Sequence, residues 1–315
     1  MNIERGLLIH PDELSAAWEE RLLASRLRRF GLHPVGGGHA NLSMQAFIDR
    51  RGEYAPRLAR LEAAGIAVEH EMHALRWMLP ASLFDAHPDW FRMDADGKRN
   101  ADCNLCPSNG DALDYVSERA AEAARHLPAA SHRYHFWTDD GRNSYCSCPS
   151  CRGLSPSDQA MLITNAILRG LRHTDPLAKQ CYLAYYDTLA APRKVEPTDG
   201  IYLEYAPMNR EFDRPLSDAD SARNSVQCTA LPDLIACFGL RDSLALEYWL
   251  DNSMYSRWTK PPKYFEWNRV VTEADLTYYD SLGFAAATTF ACYLGPDYET
   301  AHGGFPEIGE YLAAN

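Results

Sequence analysis

Short apolar runs alternate with longer amphipathic segments along this chain, and the order run-then-helix repeats from one end to the other. The runs are GLLIH (6–10), LHPVGGG (32–38), IAVEHEMH (66–73), RYHFWTDD (133–140), QCYLAYYDT (180–188), GIYLEYAP (200–207), DSLALEYWLD (242–251) and FAAATTFACYL (284–294). Between them, ELSAAWEERLLASRLRRFG (13–31), SMQAFIDRRGEYAPRLARLEAAG (43–65), GDALDYVSERAAEAARHL (110–127) and SDQAMLITNAILRGLRH (157–173) carry a helical period, and FPEIGEYLAAN (305–315) predicts a closing helix. Gly31, Gly65 and Gly283 stand where helices are expected to stop.

Eight strand–helix units predict an α/β fold, a (β/α)8 barrel in one domain over residues 1–315. A polar, cysteine-containing insert over 80–110 follows the third strand, and a second cysteine-rich loop over 139–157 follows the fourth. An open doubly wound sheet has the same rhythm. Against it, the count stops at eight and VGGGHAN lacks the Gly-x-Gly-x-x-Gly spacing of a dinucleotide turn.

With 46% hydrophobic and 23% charged residues the composition is that of a globular protein. A formal net charge of -12 argues against a nucleic-acid partner and favours a small or neutral substrate. No apolar run approaches the roughly 18 residues of a membrane span, and the N-terminal stretch lacks a signal-peptide pattern. Cys181, Cys228, Cys237 and Cys292 sit singly in apolar surroundings, as reduced thiols do, so a cytoplasmic setting is expected. Nothing in the sequence stands against an oligomer.

In such a barrel the site lies at the carboxyl ends of the strands. The runs end in His10; His39; His70, Glu71 and His73; Asp139 and Asp140; Tyr186 and Asp187; Glu204 and Tyr205; Glu247, Tyr248 and Trp249; and Tyr293. A rim of acids, imidazoles and aromatic rings suits a sugar, whose C–H faces stack while its hydroxyls hydrogen-bond. Asp139 and Asp140 form the sharpest pair, because neighbouring carboxylates raise one another's pKa and can leave one protonated as a general acid. Asp-Asp-Gly is also ordinary turn chemistry.

Cys146, Cys148 and Cys151 share the loop YCSCPSC, and DCNLC adds Cys103 and Cys106. Four thiolates would make a closed structural zinc site tying the insert to the loop after the fourth strand, with Cys106, Cys146, Cys148 and Cys151 as the preferred ligands. Reduced cysteines without metal, or a disulfide, are the alternative.

HPDWF (87–91), DGKRNADCNLC (96–106), DDGRNSYCSCPSC (139–151) and YLAYYDTLAAPRKVEP (182–197) resemble an uncharacterised family of glycoside-hydrolase-type barrels marked by HPE-[YW]-F, a downstream cysteine, DG…C-x-C-x-x-C and AY…P-P. The resemblance covers residues 65–200. It implies Cys106 rather than Cys103 as the upstream ligand, and this chain has Asp89 in place of the family's glutamate. The aspartate pair is also similar in position to that of O-GlcNAcase-type, hexosaminidase and α-glucuronidase-type enzymes. In the O-GlcNAcase-type and hexosaminidase enzymes the first acid orients a 2-acetamido group and the second protonates the leaving oxygen.

The expected function is therefore glycoside hydrolysis, with Asp140 as acid/base, Asp139 orienting a 2-acetamido group or water, and Glu247 as a reserve nucleophile. Tyr186, Asp187, Glu204, Tyr205, Tyr248, Trp249 and Tyr293 would bind the sugar with His10, His39, His70 and Glu71; no organic cofactor is expected. A non-catalytic carbohydrate-binding barrel and a metal-dependent barrel enzyme using His70, His73 and Glu247 are the alternatives.

Overall fold

The computed structural model describes residues 3–313. Eight parallel strands close into a barrel in chain order: β1 (Glu4–Ile9), β2 (Arg29–Leu32), β3 (Ala67–His73), β4 (Arg133–Trp137), β5 (Lys179–Ala184), β6 (Ile201–Tyr205), β7 (Leu244–Glu247) and β8 (Ala286–Phe290), with β1 pairing β8. This is the (β/α)8 barrel expected from the alternation.

Period-two alternation divides each strand between two cores. Leu8, Trp137, Cys181, Tyr202, Leu246 and Phe290 point into the barrel, while Leu7, Ile9, Phe30, Phe136, Leu203 and Ala245 pack outward against the helices. This parity fixes which residue of each strand end can face the mouth.

The second strand is the one element placed wrongly by periodicity. The first helix spans only Ala16–Ala24, and Ser25, whose hydroxyl donates to the Leu22 carbonyl, stops it. The strand then runs Arg29–Leu32, inside what reads as a helix tail, because four residues with Arg and Gly on the inner face present no apolar run. Gly31 is accordingly no helix stop. A Cβ there would lie 2.7 Å from Glu71 Oε1 and 2.8 Å from Leu8 Cγ, so glycine is what the crowded barrel interior admits. The segment 43–65 is two helices, Ala40–Asp49 and Arg51–Ala63, meeting at Arg50. Gly65 and Gly283 do follow helices with φ of 85° and 92°. The closing helix is Gly309–Ala313, and the last two residues expected in it, 314–315, lie outside the described ones. Among the described residues no helix is long and apolar enough to cross a membrane.

Helices Gly110–His126 and Pro156–Thr174 brace the fourth and fifth strands. The first is capped by Asn109, whose side chain accepts from the Ala112 amide; the second by a Ser155/Asp158 capping box behind Pro156. They touch where Gly170 meets the Ser117 carbonyl, 1.9 Å from where a Cβ would stand. Gly170→Ala is expected to cost about 3 kcal/mol, the upper end of overpacking penalties, read as a lowered Tm. An unchanged Tm would mean that the two helices are not packed this closely.

Candidate active site

Inside the barrel, below its mouth, lies a buried ion cluster. His135 stands between carboxylates, its Nδ1 3.1 Å from Glu204 Oε2 and its Nε2 3.4 Å from Glu69 Oε2. Its Nε2 also lies 3.1 Å from the Tyr202 hydroxyl, which donates to the Tyr134 carbonyl and so receives the imidazole proton. Both ring nitrogens therefore donate, and the ring is an imidazolium. Burial alone would lower its pKa; Tyr202, Glu204, Glu71 and Glu69 together raise it well above the ordinary value. Burial would likewise raise Glu69, but His135, Arg29 and Arg133 hold it down to about 2. Glu71 goes the other way: burial, with Glu204 and Glu69, raises it well above the ordinary carboxyl range against the opposing pull of His135.

Above this cluster the mouth opens into a cavity of about 390 Å³. Trp137 forms its floor, with its indole N–H donating 2.7 Å to Glu204 Oε2. The aromatic walls come from Tyr185, Tyr248, Phe290, Tyr293 and the exposed Trp258. Trp258 and Tyr293 hold left-handed backbone conformations, φ 53° and 64°, where non-glycine residues are strained; such strain gathers at functional sites. Two carboxylates line the cavity. Asp140, after β4, is exposed at the rim and accepts a 3.3 Å hydrogen bond from the Tyr185 hydroxyl. Asp251, after β7, is buried, and its Oδ1 accepts from the Ser253 amide, the Ser253 hydroxyl and the Met254 amide; burial nevertheless pushes its pKa up to about 6. Tyr248 feels both charges.

Of the residues expected at the site, His10, His73, Asp140, Tyr248 and Tyr293 line this cavity. Glu71 and Glu204 face inward but lie in the ion cluster beneath it. Asp139 turns aside. Its Oδ2 accepts from the Asn104 amide at 2.8 Å while its own amide donates to Asn104 Oδ1 at 3.0 Å, which clasps the cysteine-rich insert to the loop after β4. Tyr186 and Asp187 lie beside the mouth, Tyr186 under the Arg142 guanidinium and Asp187 accepting from the Asn143 amide. His39 is exposed in the turn Gly37–His39, Asp89 accepts from Asn109 on the surface, and His70 points outward against Phe47.

Glu247, Tyr205 and Trp249 also point outward, by the parity of their strands. Glu247 accepts 2.7 Å from Arg210 and 2.6 Å from Tyr279, while Arg210 also bridges to Asp275, which accepts from the Trp249 indole. Glu247 therefore stands far from His73 in role, and His70, His73 and Glu247 do not converge on one site. Sequence reading missed His33, Trp137, Tyr185, Asp251 and Trp258. The pairs Ile-His-Pro (9–11) and Leu-His-Pro (32–34) were a usable signal for His33, and Asp251 closes the run DSLALEYWLD.

The cysteine cluster forms beside this site. Cys106, Cys146, Cys148 and Cys151 are buried, and their sulfurs lie within 4.8 Å of one another. They could hold a metal ion. Two of the separations, Cys106 to Cys148 and to Cys151, are 3.7 and 3.8 Å. A tetrahedron of about 2.3 Å metal–sulfur bonds has edges of about 3.8 Å. The Met93 amide donates to Cys146 and the Ser108 hydroxyl lies 3.0 Å from Cys151, the outer partners such sulfurs require. Cys103 stands apart, against Gly141, with its pKa pushed up to about 11 by burial and by Asp139.

Residues 43–231 match a family described as a domain of unknown function, DUF4838. No curated protein matches the chain. Among solved structures, endo-glycoceramidase II from Rhodococcus sp. is similar with a TM-score of 0.54 at 11% identity, over 98% of this chain and 78% of that one. PbGH5A, a glycoside hydrolase family 5 enzyme from Prevotella bryantii B14, gives 0.53 at 11% identity over 98% and 93%. A β-galactosidase from Rahnella sp. R3 gives 0.53 at 13% over 92% and 50%, so the chain spans about half the length of that enzyme. At these identities the likeness is one of fold, that of glycoside-hydrolase barrels.

Since Glu247 is a buried ion-pair partner, Glu247→Ala is expected to lower stability by about 3–5 kcal/mol by leaving Arg210 undercompensated. Urea denaturation checks this. A variant as stable as the parent would remove Glu247 from the ion pair and return it to the candidates for chemistry.

Proposed function

The chain belongs to the DUF4838 family, and from the cavity its barrel builds we propose that it is a glycoside hydrolase using Asp140 and Asp251 as its carboxylate pair. The observation that carries this reading is that two carboxylates, one after β4 and one after β7, share a single aromatic-walled cavity. Their surroundings divide the roles. The leaving group departs towards solvent, and the acid that protonates its oxygen must recover a proton from water, which suits Asp140 at the exposed rim. Asp251 lies deeper, with three donors stabilising the charge on one oxygen, and serves the anomeric carbon from the other side, as base or nucleophile. The net reaction adds water across the glycosidic bond: the proton goes to the leaving oxygen and the hydroxide equivalent to the anomeric carbon. The 2-acetamido role expected for Asp139 does not fit its position, because it does not line the cavity and its Oδ2 accepts from the Asn104 amide.

Aryl glycosides of graded leaving-group ability separate the two acids. Asp251→Asn is expected to lose at least about a hundredfold in turnover on every substrate, whereas Asp140→Asn should lose that much only with poor leaving groups and little with dinitrophenyl glycosides. Equal losses in both variants across the series would contradict the assignment. As Asp251 must be ionised and its pKa is about 6, kcat/KM should fall as pH drops through about 6. A rate flat down to pH 5 would contradict its role.

We also propose that the four clustered cysteines hold a structural zinc ion. When bound, zinc would fix the insert and the loop after β4, and through the Asp139–Asn104 clasp the position of Asp140. About one zinc per chain by elemental analysis is expected, lost in Cys148→Ser with a lower Tm. Metal-free protein of unchanged Tm would refute the staple.

A further inference from the structure

One wall of the cavity is made of three histidines, one from each of the first three strands, and all three are anchored in the same way. His10 follows β1 and its Nδ1 lies 2.7 Å from the His33 carbonyl; His33 follows β2 and its Nδ1 lies 2.8 Å from the Glu71 carbonyl; His73 ends β3 and its Nδ1 lies 2.7 Å from the Thr138 carbonyl. Each ring thus reaches the backbone of the next strand round the barrel. A carbonyl can only accept, so each Nδ1 carries the hydrogen. In a neutral ring the Nε2 is then a lone pair, and among the described residues no Nε2 of the three has a protein partner. The rings sit side by side, His10 to His33 at 5.8 Å and His33 to His73 at 6.3 Å between centroids. They are wedged against Trp137, Phe290 and Tyr293, which fixes their planes.

Two further features point the wall at a ligand. Gly36 lies in front of it, where a Cβ would stand 3.0 Å from the His73 ring and 3.8 to 4.0 Å from the Nε2 atoms of His73 and His33. Its backbone is extended, so glycine is there for space: any side chain would cover these acceptors. The charge of the cavity is also one-sided. Asp140 and Asp251 line it, and among the described residues no arginine or lysine does. Lys260, which stands over the Tyr293 ring and is close enough to lower the His10 pKa, is ion-paired with Asp297.

We infer that His10, His33 and His73 form a subsite of hydrogen-bond acceptors that reads the hydroxyl donors of a neutral sugar, so that the substrate class is an uncharged hexoside and not a uronide or a sulfated sugar. This rests on the glycosidase reading but goes further, since it names what the cavity selects. Each of these acceptors can take a hydrogen bond from a hydroxyl, and every polar substituent of a neutral pyranose has a hydrogen to give. A uronate carboxylate or sulfate has none and would face two carboxylates with no cation to receive it. Burial lowers the pKa of His10 and holds that of His33 well below the ordinary value, which keeps those two rings neutral at pH 7. The trio is not one of the groups among the described residues whose ligand atoms lie close enough to share a metal ion.

The test is binding, followed by NMR titration of the whole protein with methyl glycosides of glucose, galactose and mannose, and with methyl glucuronoside and galacturonoside, in both anomers. At least one neutral glycoside should bind about tenfold or more tightly than its uronoside counterpart. Deoxyfluoro analogues of that glycoside replace a donor hydroxyl by an acceptor, and at least one should lose about tenfold in the unmodified protein. His33→Phe, which keeps a ring between Trp137 and Phe290, should weaken the parent glycoside by a similar factor and abolish the fluorine penalty. A uronoside bound as well as the neutral sugars, no binding of any neutral glycoside, or indifference to every fluorine substitution would overturn the inference. Neutral sugars bound with the expected fluorine penalty but no aryl glycoside cleaved would uphold the subsite and defeat the hydrolase reading. Preferential cleavage of a uronide would do the reverse.

Discussion

The mouth of this barrel stands on the ion cluster inside it. Three acids, Glu69, Glu71 and Glu204, and three bases, Arg29, Arg133 and His135, occupy inward positions on β2, β3, β4 and β6, where a barrel interior is usually filled by branched apolar side chains. Taking charges out of water is costly, and it is tolerable here because nearly every charge has an opposite neighbour and a hydrogen bond. The cluster then fixes geometry above it. The imidazolium Nδ1–H of His135 donates to the same Glu204 oxygen that accepts the Trp137 indole N–H, so the cavity floor is tied to the buried charges. His33 and His73 pack on Trp137 in turn. The orientation of the acceptor wall is therefore set two layers down.

A second constraint acts from the side. The cysteine-rich insert has little hydrophobic core of its own: two isolated bridges, Phe91 to Leu105 and Met93 to Arg99, form a small hairpin, and the buried sulfurs pack with Met93 as a cluster separate from both barrel cores. Small units of this kind depend on staples. The insert is held to the loop after β4 by the sulfur cluster at one end and the reciprocal Asp139–Asn104 hydrogen bonds at the other, and Asp140 is the next residue along. The adjacent aspartates thus divide the work, one gripping the scaffold and one facing the cavity. The DDG…C-x-C-x-x-C stretch is a site and its brace in continuous sequence.

Much of this was legible in the residues, and the failures share a cause. Apolar runs bounded by turn residues located seven of the strands, and the cysteines were found because ligand spacing survives any error in strand boundaries. Which side chain faces the mouth depends on parity, and parity shifts with a one-residue error. Tyr186 was read for Tyr185, and Glu247 for the carboxylate four positions on. The second strand was hidden because its inner face is Arg29 and Gly31, chosen by the ion cluster and by crowding against Leu8 and Glu71, and neither constraint is visible until the barrel closes. Losing that strand moved the expected histidine from His33 to His39.

The central claim is that a sugar ring occupies the cavity between the histidine wall and the two carboxylates, and the most direct measurement is a crystal structure of Asp140→Asn soaked with an uncleaved glycoside. The account predicts the ring stacked between Trp137 and Tyr248, hydroxyls on the Nε2 atoms of His10, His33 and His73, and the glycosidic oxygen beside Asn at position 140. A sugar bound elsewhere on the barrel, or an empty mouth at saturating glycoside, would contradict it.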